Sequence, residues 1–367
     1  MPDETRRAIV MAGMAGAVAA LAHWGGRASG ETPGKGGAMV GTPRTVELPG
    51  FFDLQVNGFA GVDFGDTALT SERVLQAVAA IAKTGVTRFL PTLTTSSLEA
   101  FSACARTLAR TSHPAIAGIH MEGPYISPED GPRGAHPRAF VRAADVDDFR
   151  RRQDAAEGRI RLVTLAPEAP GALPLVEHLV ASRIRVAIGH TGATAAQIAD
   201  AVSAGATLST HLGNGCAQVL PRHPNVIWEQ LGEDRLLASF IVDGHHLPPA
   251  TVKSMIRAKT PARSILVTDA VAAAGMPPGR YTLGGQEVEL SVTGRVAAPG
   301  APNLAGSALR LDVAIANTVR FTGLALEDVA PMASTRPAEY LGTRAAGKVV
   351  AEWDPAAFAL RVVRVVG

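Results

Sequence analysis

The chain of 367 residues holds only two cysteines, Cys104 and Cys216, and they form no CxxC pair. That excludes a disulfide framework. Aromatic residues are 5% of the chain, and only five of the 35 basic residues are Lys. Acidic residues number 33, so the net charge is +2 with both signs interspersed. No Lys/Arg cluster of the kind that tracks a phosphate backbone occurs, so nucleic acid is not an expected partner. No apolar run approaches the roughly 20 residues a spanning helix needs, so no membrane span is expected either. What remains is a chain that is 47% hydrophobic and 19% charged. It is long enough for one large domain of roughly 250 residues and a smaller appendage.

The two ends read differently from the middle. Arg6-Arg7 precedes a Gly/Ala-rich apolar run from Ala8 to Ala22, and Ala20-Leu21-Ala22 is a small-x-small site. This pattern fits a twin-arginine export signal over residues 1–22, or alternatively an Ala-rich N-terminal helix. Gly25 to Thr42 is rich in Gly and small polar residues, so residues 1–47 are expected to be signal-like segment and linker. At the other end Lys348–Trp353 and Ala359–Val366 alternate as two short strands around Asp354-Pro355, which assigns residues 346–367 to a β appendage. Residues 281–298 also alternate and suggest a β-hairpin insertion.

Between them, over residues 48–345, short β-type runs alternate with Ala/Leu-rich helical stretches. The expected strands are Phe51–Val56, Thr87–Leu90, Ile116–Met121, Arg161–Ala166, Arg185–Ile188, Ala206–Thr210, Ala238–Val242 and Ser264–Val267. Helical stretches such as Ser71–Lys83, Leu98–Ala109, Leu173–Ala181 and Ala195–Ala204 lie between them. Eight alternations in about 220 residues imply an α/β fold, a (β/α)8 TIM-like barrel, rather than an open sheet.

The residues that end these runs carry the chemistry. Gln55 and Asn57 end the first, Glu122 follows the third and His190 the fifth. His211 follows the sixth, His245 and His246 the seventh, and Asp269 the eighth. In a barrel all of these share the C-terminal rim, where active sites of this fold are built. Glu122, His190 and His211 supply three N/O ligands for a divalent metal, and Asp269 is a carboxylate beside it, which is an open catalytic site. Each has an ordinary alternative: a hydrogen-bonded loop histidine for His190, a helix-start carboxylate for Glu122, an N-cap before Ala270–Ala274 for Asp269. Four such residues on four strand ends favour the metal site.

The segment Pro49-Gly50-Phe51-Phe52-Asp53-Leu54-Gln55-Val56-Asn57-Gly58 resembles the first-strand motif of the N-acetylglucosamine-6-phosphate deacetylases, in the amidohydrolase superfamily. His120-Met121-Glu122-Gly123-Pro124-Tyr125, Leu165-Ala166-Pro167-Glu168, Thr210-His211-Leu212, Val267-Thr268-Asp269-Ala270 and Leu304-Ala305-Gly306-Ser307 match further blocks in the same order. The resemblance implies a metal-dependent hydrolysis of the acetamide of N-acetylglucosamine 6-phosphate, with one Zn²⁺-like ion on Glu122, His190 and His211. Asp269 would be general base and then acid. Gln55 and Asn57 stand where most of the superfamily carries His-x-His, a variant typical of single-metal deacetylases. The resemblance further places His136, Asn214, Gly215 and Leu304 on the sugar, and Arg222 and His246 on the phosphate. It implies a homodimer in which that arginine reaches a neighbouring subunit, and a cytoplasmic location, with export as the alternative if residues 1–22 are a signal.

Three departures bear on the substrate. Gly213 replaces a large aromatic and is expected to widen the pocket, and His245 replaces an aliphatic residue beside the phosphate site. The N-terminal strands of the β appendage look missing. An exported protein would favour an unphosphorylated N-acyl sugar or another small amide. A non-catalytic binding protein on the same barrel is disfavoured by the intact set of Glu122, His190, His211 and Asp269.

Overall fold

The computed structural model describes residues 41–283, 286–301 and 304–367. The twin-arginine-like segment and nearly all of the expected linker lie outside the described residues. Among the described residues, no helix is long and apolar enough to cross a membrane.

The first described element is a strand, β1 (Arg44–Pro49). The barrel strands follow: β2 (Phe51–Val56), β3 (Val86–Leu93), β4 (Ile119–Glu122), β5 (Ile160–Leu165), β6 (Arg185–Ile188), β7 (Leu208–Ser209), β8 (Leu237–Phe240) and β9 (Ser264–Leu266). Each pairs in parallel with the next, giving one eight-stranded sheet in sequence order. Strands covered on both faces are buried along their length, and β2, β4 and β9 are buried at every position, so the polar residues they carry, such as Asp53, Gln55, His120 and Glu122, are paired inside. The sheet closes just past its last strand. Val56 bridges Ala270, Asp269 N–H donates to Gln55 O at 2.9 Å, and Asn57 N–H donates to Ala270 O at 2.7 Å.

The helices between the strands start where short polar side chains satisfy free backbone N–H groups. Thr70 caps Ser71–Ala82, Ser97 caps Leu98–Arg110 and Asp145 caps Val146–Ala155. Thr194 and Gln197 form a reciprocal capping box at Ala195–Ala204. The helices Val226–Gly232 and Pro249–Lys259 follow. The expected strands and helices are therefore present, with no end moved by more than three residues.

Besides a two-stranded ribbon of Gly58–Phe59 and Val62–Asp63, two three-stranded sheets flank the barrel. In the first, β13 (Lys348–Asp354) pairs antiparallel with β14 (Ala359–Val366) and, on its other side, with β1. The segment to residue 47 is thus not all linker, and the appendage has a strand from the N-terminal side. Arg44–Pro49 carries little strand signal because its alternation is short, with only Val46 and Leu48 apolar before Pro49. In the second, the expected hairpin over 281–298 is three-stranded: β10 (Gly279–Leu283), β11 (Gln286–Leu290) and β12 (Val296–Ala297). Val288, Leu290 and Val296 pack with Ala273 in a cluster of their own, which fixes this sheet beside the segment that carries Asp269.

One buried charge network supports the loop after β4. Tyr125 Oη donates to Asp148 Oδ2 at 2.8 Å, Arg152 Nε to the same oxygen at 2.9 Å and Arg142 Nη1 to Oδ1 at 2.8 Å. Arg152 is fully buried, and its guanidinium lies 5.0 Å from the centre of the Phe101 ring. Removing the counter-ion strands a charge in the interior, which costs more than the pair itself contributes. Asp148→Ala is expected to lower stability in urea melts by about 3 kcal/mol, and Asp148→Ala combined with Arg152→Met to recover most of the loss.

Candidate metal centre and catalytic carboxylate

The strand ends bring Glu122, His190, His211 and Asp269 together on the C-terminal rim, and all four are buried or nearly so. Three of them hold unusual backbone. His190, His211 and Asp269 have φ of 51°, 29° and 49°, the left-handed region that side chains other than glycine rarely adopt. Such strain persists only where the surroundings over-determine it, and it gathers at functional sites. Asp269 is therefore no helix cap: Ala270 is a bridge residue on the barrel seam.

Glu122 is the hub. Its Oε1 lies 2.9 Å from His211 Nε2, 3.2 Å from His190 Nε2 and 2.9 Å from the amide of Gln55. The two imidazole Nε2 atoms are 3.2 Å apart. The tautomer of His190 follows from its other nitrogen, which faces Pro132 O at 2.9 Å. A carbonyl only accepts, so Nδ1 carries the hydrogen and the neutral ring turns a lone pair toward Glu122 Oε1. Two acceptors in contact need a cation or an extra proton between them. Burial would raise the Glu122 carboxyl, but the imidazoles of His190 and His211 beside it outweigh burial and hold it well below the ordinary range. The Glu122 carboxylate, accepting from His211 Nε2, outweighs burial there and raises that histidine. This donor set suits a divalent cation, whose charge replaces the protons.

His136 stands at the edge of the cluster. Its Nε2 is 4.0 Å from Glu122 Oε2, and Glu122, His136 and His190 also present ligand atoms within 4.8 Å of one another. Its Nδ1, however, accepts from Thr95 N–H at 3.4 Å and lies 2.8 Å from Thr95 Oγ1. Nε2 then bears the hydrogen, so His136 is arranged as a donor into the site, and His211, with Nε2 2.9 Å from Glu122 Oε1, is the remaining group that could complete a cation site. Burial and the neighbouring His190 push His136 down to about 3, which keeps it neutral.

Asp269 is held by neutral groups. Asn57 Nδ2 donates to its Oδ1 at 2.6 Å and Gln55 Nε2 at 3.0 Å, while Gln55 also serves Glu122. Burial and the charge of Glu122 raise Asp269 from 3.8 to about 6. Below the rim, His120 Nδ1 donates to Leu54 O at 3.1 Å, and its Nε2 lies 2.8 Å from Thr164 Oγ1, which lies 2.7 Å from Thr210 Oγ1. This polar layer floors the site, and burial keeps His120 neutral at about 4.

All of this faces a cavity of about 1120 Å³. His136, Asn214, Gly215, His246 and Leu304 line it, and Arg222 does not: it is exposed on the loop after Cys216. His246 Nδ1 lies 2.6 Å from Asp243 Oδ2, and the residue lines the cavity. The expected widening at Gly213 does not arise simply, because Leu247 and Met255 occupy the space a Cβ there would enter, at 2.8 and 3.2 Å. At Gly215, φ is +59° and a Cβ would come within 2.9 Å of His190 Nδ1, so only glycine fits against that ring.

Glu168 was visible only as part of a motif. It accepts from Gly192 N–H at 2.7 Å and from Thr191 Oγ1 at 2.5 Å, and so clamps the turn that holds His190 in its left-handed backbone. Asp53 was likewise unread. It accepts from Thr268 Oγ1 at 2.6 Å across the barrel seam, and burial raises it to about 7.

Residues 46–360 match the Amidohydrolase family. The human N-acetylglucosamine-6-phosphate deacetylase is 40% identical over 317 residues, covering 81% of this chain and 75% of that protein. The N-acetylgalactosamine-6-phosphate deacetylase of Escherichia coli O157:H7 is 37% identical over 309 residues, covering 82% and 80%. Among solved structures, the N-acetyl-D-glucosamine-6-phosphate deacetylase of Mycobacterium smegmatis superposes with a TM-score of 0.80 at 33% identity, covering 88% of this chain and 86% of that one. A mutant of that enzyme in complex with N-acetyl-D-glucosamine-6-phosphate superposes with a TM-score of 0.79.

Partners that orient metal ligands are worth about 10- to 100-fold in affinity. Glu168→Ala is expected to weaken divalent-metal binding about tenfold in competition with a chelating dye, with an unchanged far-UV spectrum.

Proposed function

We propose the following reaction for this chain, which belongs to the amidohydrolase family and, within it, to the N-acetylglucosamine-6-phosphate deacetylases. Water cleaves the acetamide of N-acetylglucosamine 6-phosphate, giving glucosamine 6-phosphate and acetate. The observation that carries this reading is the convergence of Glu122, His190, His211 and Asp269 on one cavity.

Glu122, His190 and His211 would hold one divalent ion, Zn²⁺ in our reading. When bound, such an ion polarises an amide carbonyl and brings the pKa of a water molecule to about 7. The chain supplies the rest. Asn57 and Gln55 occupy Oδ1 of Asp269, which leaves Oδ2 to take a proton from the attacking water. The same carboxyl then delivers that proton to the amine nitrogen, without which the amine is too poor a leaving group for the C–N bond to break. His136, with its hydrogen on Nε2, points a donor toward the oxygen that becomes negative as water adds.

For the phosphate, His246 is braced by Asp243, whose Oδ2 lies 2.6 Å from its Nδ1. Among the described residues lining the cavity there is no Lys or Arg. The arginine must come from elsewhere, and Arg222 of a second copy fits. Its loop also exposes Val219, and the helix Val226–Gly232 after it exposes Trp228, at 88% and 56%, which suits a surface that another copy covers. We therefore read the active form as a homodimer, with Arg222→Ala expected to raise KM about 30-fold for the phosphorylated sugar, the value of a charge-assisted contact, while the unphosphorylated sugar is unaffected.

Acetate release from metal-loaded protein tests the substrate: strong preference for N-acetylglucosamine 6-phosphate over the free sugar is expected, and the reverse would move the assignment to an unphosphorylated N-acyl sugar. Asp269→Asn should lower kcat about a thousandfold with metal content intact; full activity would remove Asp269 from the mechanism. Asp269 works as a base only when ionised, so activity is lost as pH falls through its pKa of about 6. A nearby cation lowers that value further. The acid limb of kcat/KM should lie at or below pH 6, and a limb above pH 7 would contradict the assignment.

A further inference from the structure

We propose that His245 is a positioning residue, a latch that holds the β10–β12 sheet closed against the rim of the cavity and so sets substrate affinity rather than turnover. The inference rests on the reading above only for the identity of the substrate. The β10–β12 sheet is a wall of the cavity: Val288 lines it from β11, and Ala298 and Ala301 line it just past β12. On one side the sheet is fixed to the Asp269 segment through Ala273, Val288, Leu290 and Val296, and Arg295 bridges Ser307. Its outer turn, residues 291–294, lacks such packing, and Val292 is 88% exposed.

That turn is tethered across the rim by one bond. His245 Nε2 lies 2.9 Å from Thr293 O. A carbonyl only accepts, so Nε2 is the donor. Among the described residues, the other hydrogen bonds of the turn stay within residues 291–295. The anchor end is rigid. Asp243 Oδ1 accepts from His245 N–H and His246 N–H, both at 2.8 Å, and Oδ2 engages the His246 ring. The loop that presents His246 to the cavity thus also holds the tip of the opposite wall. Cutting the tether frees the tip without touching a group that meets the reacting atoms. The closed wall is then less populated, and apparent affinity falls in proportion.

The test uses the full chain, metal-loaded. His245→Ala is expected to speed amide exchange across residues 286–297 several-fold in the substrate-free protein. It should raise KM about fivefold, the value of one ordinary hydrogen bond, with kcat within twofold of the parent. His245→Gln, which keeps a donor at similar reach, should restore both. Unchanged exchange in 286–297, or a loss in kcat with KM unmoved, would overturn the proposal. Because exchange is read without substrate, it decides the latch even if the deacetylase reading fails, and absence of acetate release from the parent chain would fail that reading alone.

Discussion

The structure depends on how the barrel is closed. The last strand does not pair directly with the first. The seam is made one step later, by backbone bonds between Gln55, Asn57 and the Asp269–Ala270 segment. Those bonds do two things at once. They complete a parallel sheet whose edges would otherwise leave buried N–H and C=O groups unpaired, and they set the side chains of Gln55 and Asn57 against Asp269 and Glu122. A change in register by one residue would turn both amides away from the site. The seam itself is braced by Asp53 and Thr268 in the interior.

From that closure the electrostatics follow. Two carboxylates share one neutral amide donor, Gln55, yet their surroundings drive them apart. Glu122 sits among imidazoles and stays ionised, while Asp269 sits beside Glu122 and neutral amides and is raised toward neutrality. Groups separated in this way can divide the work, one holding a cation and the other moving a proton. The left-handed backbone at His190, His211 and Asp269 is the cost of aiming three short side chains inward from a rim. Such residues cost about 1–3 kcal/mol each, offset by contacts such as the Glu168 clamp.

Much of this was legible along the chain. The alternation of apolar runs and helical stretches has the period of a βα unit, and a polar residue just past each run falls on one rim by geometry alone. Hence Glu122, His190, His211 and Asp269 were visible before any fold was known. Arg44–Pro49 was not, because a six-residue strand with one buried residue reads like linker until β13 lies beside it. The roles of Glu168, Asp53 and Thr95 were hidden for another reason: their partners are far away or in another strand-end loop, and no local pattern joins them.

Strand order, the shared rim and the kinds of ligand are properties of residue type and spacing, so the sequence by itself determined them. Which nitrogen of His136 and His190 bears a proton was decided by Thr95 and Pro132, partners 41 and 58 residues away. Whether the glycine at 213 opens a pocket was decided by Leu247 and Met255, which move into its space. Whether Arg222 serves its own cavity was decided by the course of its loop. Hydrophobic period and turn chemistry are local and survive in one dimension. Tautomer, volume and reach depend on which distant atoms come within about 3–4 Å, and that is fixed only when the barrel closes.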